Sequence, residues 1–177
     1  MRDFTRQSFQ LHSAQLETKL VYTGFLFFAL IGLLTTGIYQ VARIGITYQR
    51  VVAYYRGGEL GREMAFPKTF VELLELSHFH VFIMGVIFLI LAHLLLATAI
   101  RPRLKAAFIV LAFAGSFLDV AGYWLIRYVS PGFAVLHLAA WTAMWVGYGG
   151  MIAAPLWEMW GPRPGGGNEA LQSSRRQ

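Results

Sequence analysis

The chain has 177 residues, 56% of them hydrophobic and only 14% charged, where a soluble domain carries about 25% charged residues; water is not its principal solvent. It contains no cysteine, which excludes disulfides, thiolate metal sites, iron–sulfur clusters and covalently attached c-type haem. The formal net charge of +6 is what basic residues flanking a bilayer produce, and it calls for no nucleic-acid partner.

The first nineteen residues are polar. Phe4 and Leu11, and Phe9 and Leu16, stand seven apart among Arg, Gln, Ser and Glu, which suits an N-terminal surface helix on the membrane; a segment without fixed structure is the other reading. The stretch is too polar for the apolar part of a signal peptide, and no small-residue cleavage pattern follows, so the first apolar block is expected to be an uncleaved anchor.

Four apolar blocks come next, at about 20–41, 76–100, 106–126 and 132–156. Each is long enough to cross a hydrocarbon core of about 30 Å, which needs about 20 helical residues. They are continuous rather than alternating, so helices and not barrel strands are expected. Between the first two, Ile44, Tyr48, Val51, Val52 and Tyr55 recur at helical spacing up to Gly57 and Gly58, a helix stop. The first helix is therefore expected to continue beyond the lipid, with the remainder, through Pro67 and Lys68 to Glu75, capping the outer mouth of the bundle. After Trp160, residues 161–177 are rich in Gly, Pro, Ser and Arg and read as a disordered tail. The fold class is all-α: an integral membrane four-transmembrane-helix bundle in one domain, residues 1–160.

Basic residues orient it. Arg101, Arg103 and Lys105 crowd the turn between the second and third blocks, while the next turn offers only Arg127, so the first of these turns and both termini are expected in the cytoplasm of a bacterial inner membrane. Arg43, Arg50, Arg56, Arg62 and Lys68 run against this, partly balanced by Glu59, Glu63, Glu72 and Glu75, and Glu72 and Glu75 are expected to face water.

Ionisable residues inside spanning segments are costly and mark function by default. Here they are His78, His80 and His93 in the second block, Asp119 in the third and His137 in the fourth. No Ser–His–Asp order, phosphate loop or carboxylate pair accompanies them. His78 and His80 lie in the first turns of their block, about 3–6 Å deep at 1.5 Å per residue, and His137 lies at a similar level. His78 heads a row of small residues, Gly85, Ala92 and Ala99; His80 points about 200° away at 100° per residue. Ala112, Gly115, Asp119 and Gly122 share one face of the third block. Trp141, Met144, Tyr148 and Met151 share the side of His137. Close helix packing explains small rows equally well, and a histidine at a bilayer edge can serve only as a hydrogen-bonding group. Two neutral imidazoles from different helices also make a haem-iron site.

This spacing resembles that of the membrane cytochromes b, which hold haem between helices whose histidines lie about fourteen apart with a glycine between. His78 and His93 are fifteen apart with Gly85 between them, and His80 and His93 are thirteen apart; Met151 stands fourteen after His137, where the pattern has a histidine. The resemblance implies one haem b near the outer face, bound by His78 and His137, with His80 replacing His78 if the helix start is rotated. A second, inner haem would draw on Met151, Met144, His12 or a partner's residue. Arg127 would then meet a propionate or else snorkel beside Tyr128 and Trp124. Asp119 would hydrogen-bond a ligand imidazole or Tyr123, or relay protons. Ala53 to Gly57, Phe66 to Lys68 and Ser77 to His80 also resemble an uncharacterised family of small bacterial cytochrome-associated membrane proteins, which implies a redox setting.

The leading expectation is a b-type haem subunit of a respiratory or photosynthetic chain. It would pass electrons between a quinone or inner partner and other membrane or periplasmic redox subunits, as a carrier rather than a stand-alone enzyme. The alternatives are a cofactor-free anchoring subunit, and a zinc or copper site or ion pathway built from His78, His80, Asp119 and His137.

Overall fold

A computed structural model describes residues 11–60 and 63–162. The first ten residues, and with them most of the expected surface helix, and the expected tail beyond residue 162 lie outside the described residues. Within them the chain begins with a 3-10 turn, Leu11–Ser13. Leu11 is fully buried, and its N–H donates to the Ala97 carbonyl at 3.4 Å.

Five α-helices and one small hairpin follow: α1 (Leu16–Tyr39), α2 (Tyr48–Arg56), β1 (Gly58–Leu60), β2 (Glu63–Ala65), α3 (Phe70–Leu96), α4 (Pro102–Tyr128) and α5 (Phe133–Trp160). All four apolar blocks are helical, and the capping chemistry beside them sets the ends. The helix of the second block starts at Phe70 rather than Leu76 because Thr69 and Glu72 form a capping box. The Thr69 hydroxyl accepts the Glu72 N–H at 3.2 Å, and the Glu72 carboxylate accepts the Thr69 N–H at 2.8 Å, pairing two donors that a helix start leaves orphaned. Pro102 opens α4 at its first position, where its missing N–H is no loss.

The first helix does not continue into the loop as expected. Gln40–Ile44 widen into a π-helical turn and the chain breaks at Gly45, whose φ of 96° suits glycine alone. The break is stitched twice: the Gly45 N–H donates to the Gln40 carbonyl at 2.6 Å, and Gln40 Nε2 donates back to the Gly45 carbonyl at 3.0 Å. The helical spacing of Val51 to Tyr55 therefore belongs to a separate helix, α2, which ends at Gly57 as expected. Among the described residues the β1–β2 hairpin, with Glu59 opposite Met64, is the one departure from all-α. It holds no strand-like alternation to read, only backbone pairing.

Among the described residues, three helical segments are long and apolar enough to cross a membrane: Leu16–Ile44, α3 and α4. The protein is thus a multi-pass membrane protein. The helix of the fourth block, α5, is just as long but is not among those three, its apolar run being interrupted by Trp, Tyr, His and Gly residues. Packing accounts for this, since α5 is the central helix and contacts α1, α2, α3 and α4. Its closest partner is α4. A Cβ added at Gly115 would stand 2.6 Å from the Met144 nitrogen, and one at Gly147 would run into the Ala112 backbone. Small residues that let backbones approach are what bind helices in lipid.

Candidate functional site

The α4–α5 seam creates the site. Gly122 leaves room for His137: a Cβ there would lie 3.1 Å from the His137 Cβ and 3.3 Å from its Nδ1. His137 is 1% exposed and Asp119, from α4, 8%. The Asp119 carboxylate sits 3.3 Å from His137 Nδ1. That is an electrostatic contact lying off the hydrogen-bond line, and neither ring nitrogen of His137 has a hydrogen-bond partner among the described residues. A buried unpaired polar group costs about 1–3 kcal/mol, so this imidazole is held at a cost that a ligand would offset.

The break at Gly45 turns α2 back over the same spot. Tyr55 meets His137 edge-on at 5.6 Å between centroids and stacks on Tyr123 at 5.9 Å. Tyr54 packs at right angles on Tyr55, and its hydroxyl shares a 3.3 Å hydrogen bond with that of Tyr39. Burial first, then the Asp119 charge, pushes the Tyr55 phenol well above its ordinary pKa, so it remains a neutral donor. From α3 comes His80, whose Nδ1–H donates to the Leu76 carbonyl at 2.8 Å and leaves Nε2 with its lone pair.

These side chains enclose a cavity of about 430 Å³, lined among others by Gln40, Tyr55, His80, Asp119, His137 and Trp141. That size falls in the range of small-molecule and cofactor sites, about 300–1,000 Å³. Beside it, at the α2 end, a vestibule lined by Lys68, Glu72 and Glu75 shares Tyr39, Tyr54, Tyr55 and Leu76 as a common wall. Both glutamates are exposed.

Of the sequence candidates, His80 and His137 share the cavity. His78 is not among its lining residues: it is exposed and its ring lies against Phe79. The physical reason is the 200° that separates it from His80 on the helix. His93 is exposed, with Nδ1 donating to the Leu89 carbonyl at 2.8 Å. Met151 is fully buried in the apolar core with Leu91, Leu95 and Ile152, and of the inner-haem candidates only Met144 lines the cavity. Arg127 Nε donates to the Lys68 carbonyl at 2.7 Å while its guanidinium covers Tyr128, so it clasps the chain before α3 and does not line the cavity. Among the described residues no three His, Asp or Glu side chains gather as metal ligands would.

Sequence reading missed Gln40 as a site residue. An uncharged amide inside an apolar block was the available signal, since burying one is costly unless it is paired.

Fold and site together define a polytopic helical membrane protein with a largely apolar cavity in the bundle into which Gln40, His80, Asp119 and His137 bring polar groups. Residues 45–165 match a family described as a transmembrane helical domain, and the chain belongs to that family. The matched part contains α2 to α5 and hence Tyr55, His80, Asp119 and His137; the family description names neither a cofactor nor a cytochrome. No curated protein and no solved structure matches the chain.

Proposed function

We propose that the chain is a b-type haem electron-transfer subunit of a bacterial inner-membrane respiratory or photosynthetic chain, in which His80 and His137 would hold the haem. The observation that carries this reading is that two imidazoles, buried His137 from α5 and half-buried His80 from α3, line one cavity with Nε2 uncommitted on each. Ligating histidines are ordinarily oriented through their other nitrogen by a carbonyl or carboxylate. The Leu76 carbonyl accepts such a bond from His80, and the Asp119 carboxylate lies beside His137 Nδ1 at 3.3 Å. Haem b bound there would supply a one-electron carrier. Tyr55, Tyr123 and Trp141 would form its aromatic walls, and the cation of the adjoining vestibule, Lys68, is paired with Glu72 at 2.9 Å.

This reading makes α5 the fourth span. Its 28 residues correspond to about 42 Å at 1.5 Å per residue, and its interrupted apolar run suits a helix that faces protein more than lipid. Four crossings put both termini on the side of Arg101, Arg103 and Lys105, the cytoplasm by charge bias.

The test is a reduced-minus-oxidised spectrum of the purified protein with pyridine haemochrome quantification. About one haem per chain is expected, lost in His80→Ala and in His137→Ala and retained in His78→Ala and His93→Ala. A protein free of haem would overturn the reading. It would favour the second one, a cofactor-free anchoring subunit, which the thin packing of α1 supports: only 11% of its apolar window is buried.

A further inference from the structure

Another void, of about 490 Å³, opens where α1 and α3 rest on α5 without packing along one another. Phe25, Phe28, Leu33, Ile83, Ile87 and Ile152 form its walls. Phe28 is 73% and Ile83 48% exposed, so the trough opens on the lipid-facing side. Gly32 lies along it, and a Cβ built there meets nothing within 4 Å. At one end the trough runs into the central cavity, the two sharing Thr35, Thr36, His80, Met84 and Met144.

A trough for an acyl chain needs no polar end, but this one has hydroxyls there. Thr35 and Thr36 each donate to the Gly32 carbonyl at 2.9 Å, which leaves both oxygens able to accept. No Lys or Arg lines either void, and Asp119 stands in the cavity beyond. A phosphate headgroup would meet a carboxylate there and find no cation. The headgroup that fits is small, planar and uncharged, with oxygens that accept or donate single hydrogen bonds among aromatic walls, and it carries a long apolar tail.

We propose that this trough binds a membrane quinone, its tail between α1 and α3 and its ring at Thr35 and Thr36 beside His80. Binding itself needs no haem; the role of the quinone as electron donor or acceptor rests on the haem reading above.

The full chain in phosphatidylcholine nanodiscs, titrated with decylubiquinone and with its tail-less dimethoxy-methylbenzoquinone counterpart, tests this. Saturable binding is expected for the tailed quinone and much weaker binding for the other. Gly32→Leu, whose Cβ meets no atom within 4 Å, extends a side chain into the trough and should weaken decylubiquinone binding at least about tenfold, a change of about 1.4 kcal/mol. Thr36→Val should weaken it severalfold. Gly24→Leu, placed in equally open space but outside the trough, should leave it unchanged. Unsaturable binding, equal effects of the Gly32 and Gly24 substitutions, or displacement by phosphatidic acid as readily as by quinone would overturn the assignment and leave a trough filled by bilayer lipid. Gly32-sensitive binding in a colourless protein would uphold the quinone site and remove the haem. A haem-containing protein whose quinone binding ignores Gly32 would do the reverse.

Discussion

The helices α4 and α1 both rest on α5, and both carry glycines, yet the glycines do opposite things. Along α4 and its partner face on α5, the Cβ positions of Gly115, Gly122 and Gly147 are taken up by the other helix, so the two backbones lie in fixed register and hold Asp119 against His137. On α1 only Gly37 is covered, by the indole of Trp145, while Gly24 and Gly32 face open space. Near its start α1 is tied by single bonds: Lys19 Nζ donates to the Met159 carbonyl at 3.1 Å, and Trp160 Nε1 donates to the Thr23 hydroxyl at 2.9 Å. A glycine in a lipid helix therefore signals close packing only where a neighbouring backbone fills its missing side chain; elsewhere it leaves a hollow.

The contrast can be broken at the α4–α5 seam first. Gly147→Leu drives a side chain into the Ala112 backbone and should cost about 3 kcal/mol or more, read as a collapse of folded yield and thermal stability in detergent. Across the same seam, Asp119→Asn keeps the shape but replaces the carboxyl group facing His137. Weakening of haem retention by about 10- to 100-fold is expected, as when the partner of a ligating histidine is altered, and haem titration into the stripped protein measures it. On the α1 side the effects should shrink. Trp160→Phe removes the bond to Thr23 and should cost about 1 kcal/mol, seen as faster hydrogen exchange in the first turns of α1 with the α4–α5 amides unchanged. Gly24→Leu should move thermal stability by less than about 0.5 kcal/mol; a loss as large as that of Gly147→Leu would mean that a partner covers this face of α1.

The architecture was legible where length alone decides it. Four apolar blocks became four long helices, and the small face of Ala112, Gly115, Asp119 and Gly122 proved to be the side that meets α5, because small residues and one acid on a single stripe leave few other uses in lipid. The choice between His78 and His80 was not legible. Lipid-facing and core-facing side chains of α3 are equally apolar, so composition does not say which face turns inward, and the helix start that fixes depth depends on Thr69 and Glu72, outside the apolar block. The separate course of α2 was hidden for a similar reason. Nothing in the spacing of Ile44 to Tyr55 reveals that Gly45 takes a positive φ, and the closing bond comes from Gln40, a side chain the apolar pattern passes over.

The π-helical turn at Gln40–Ile44 means that α1 holds one residue more than an ordinary helix of the same rise would. The surplus acts as a swivel. Removing a single residue there would restore the regular ladder and abolish the closing bond from the Gly45 N–H to the Gln40 carbonyl, shifting Tyr54 and Tyr55 against His137 while leaving the span itself intact. The orientation of the lid above the cavity is thereby uncoupled from the thickness of membrane beneath it, and one peptide unit is enough to reset it.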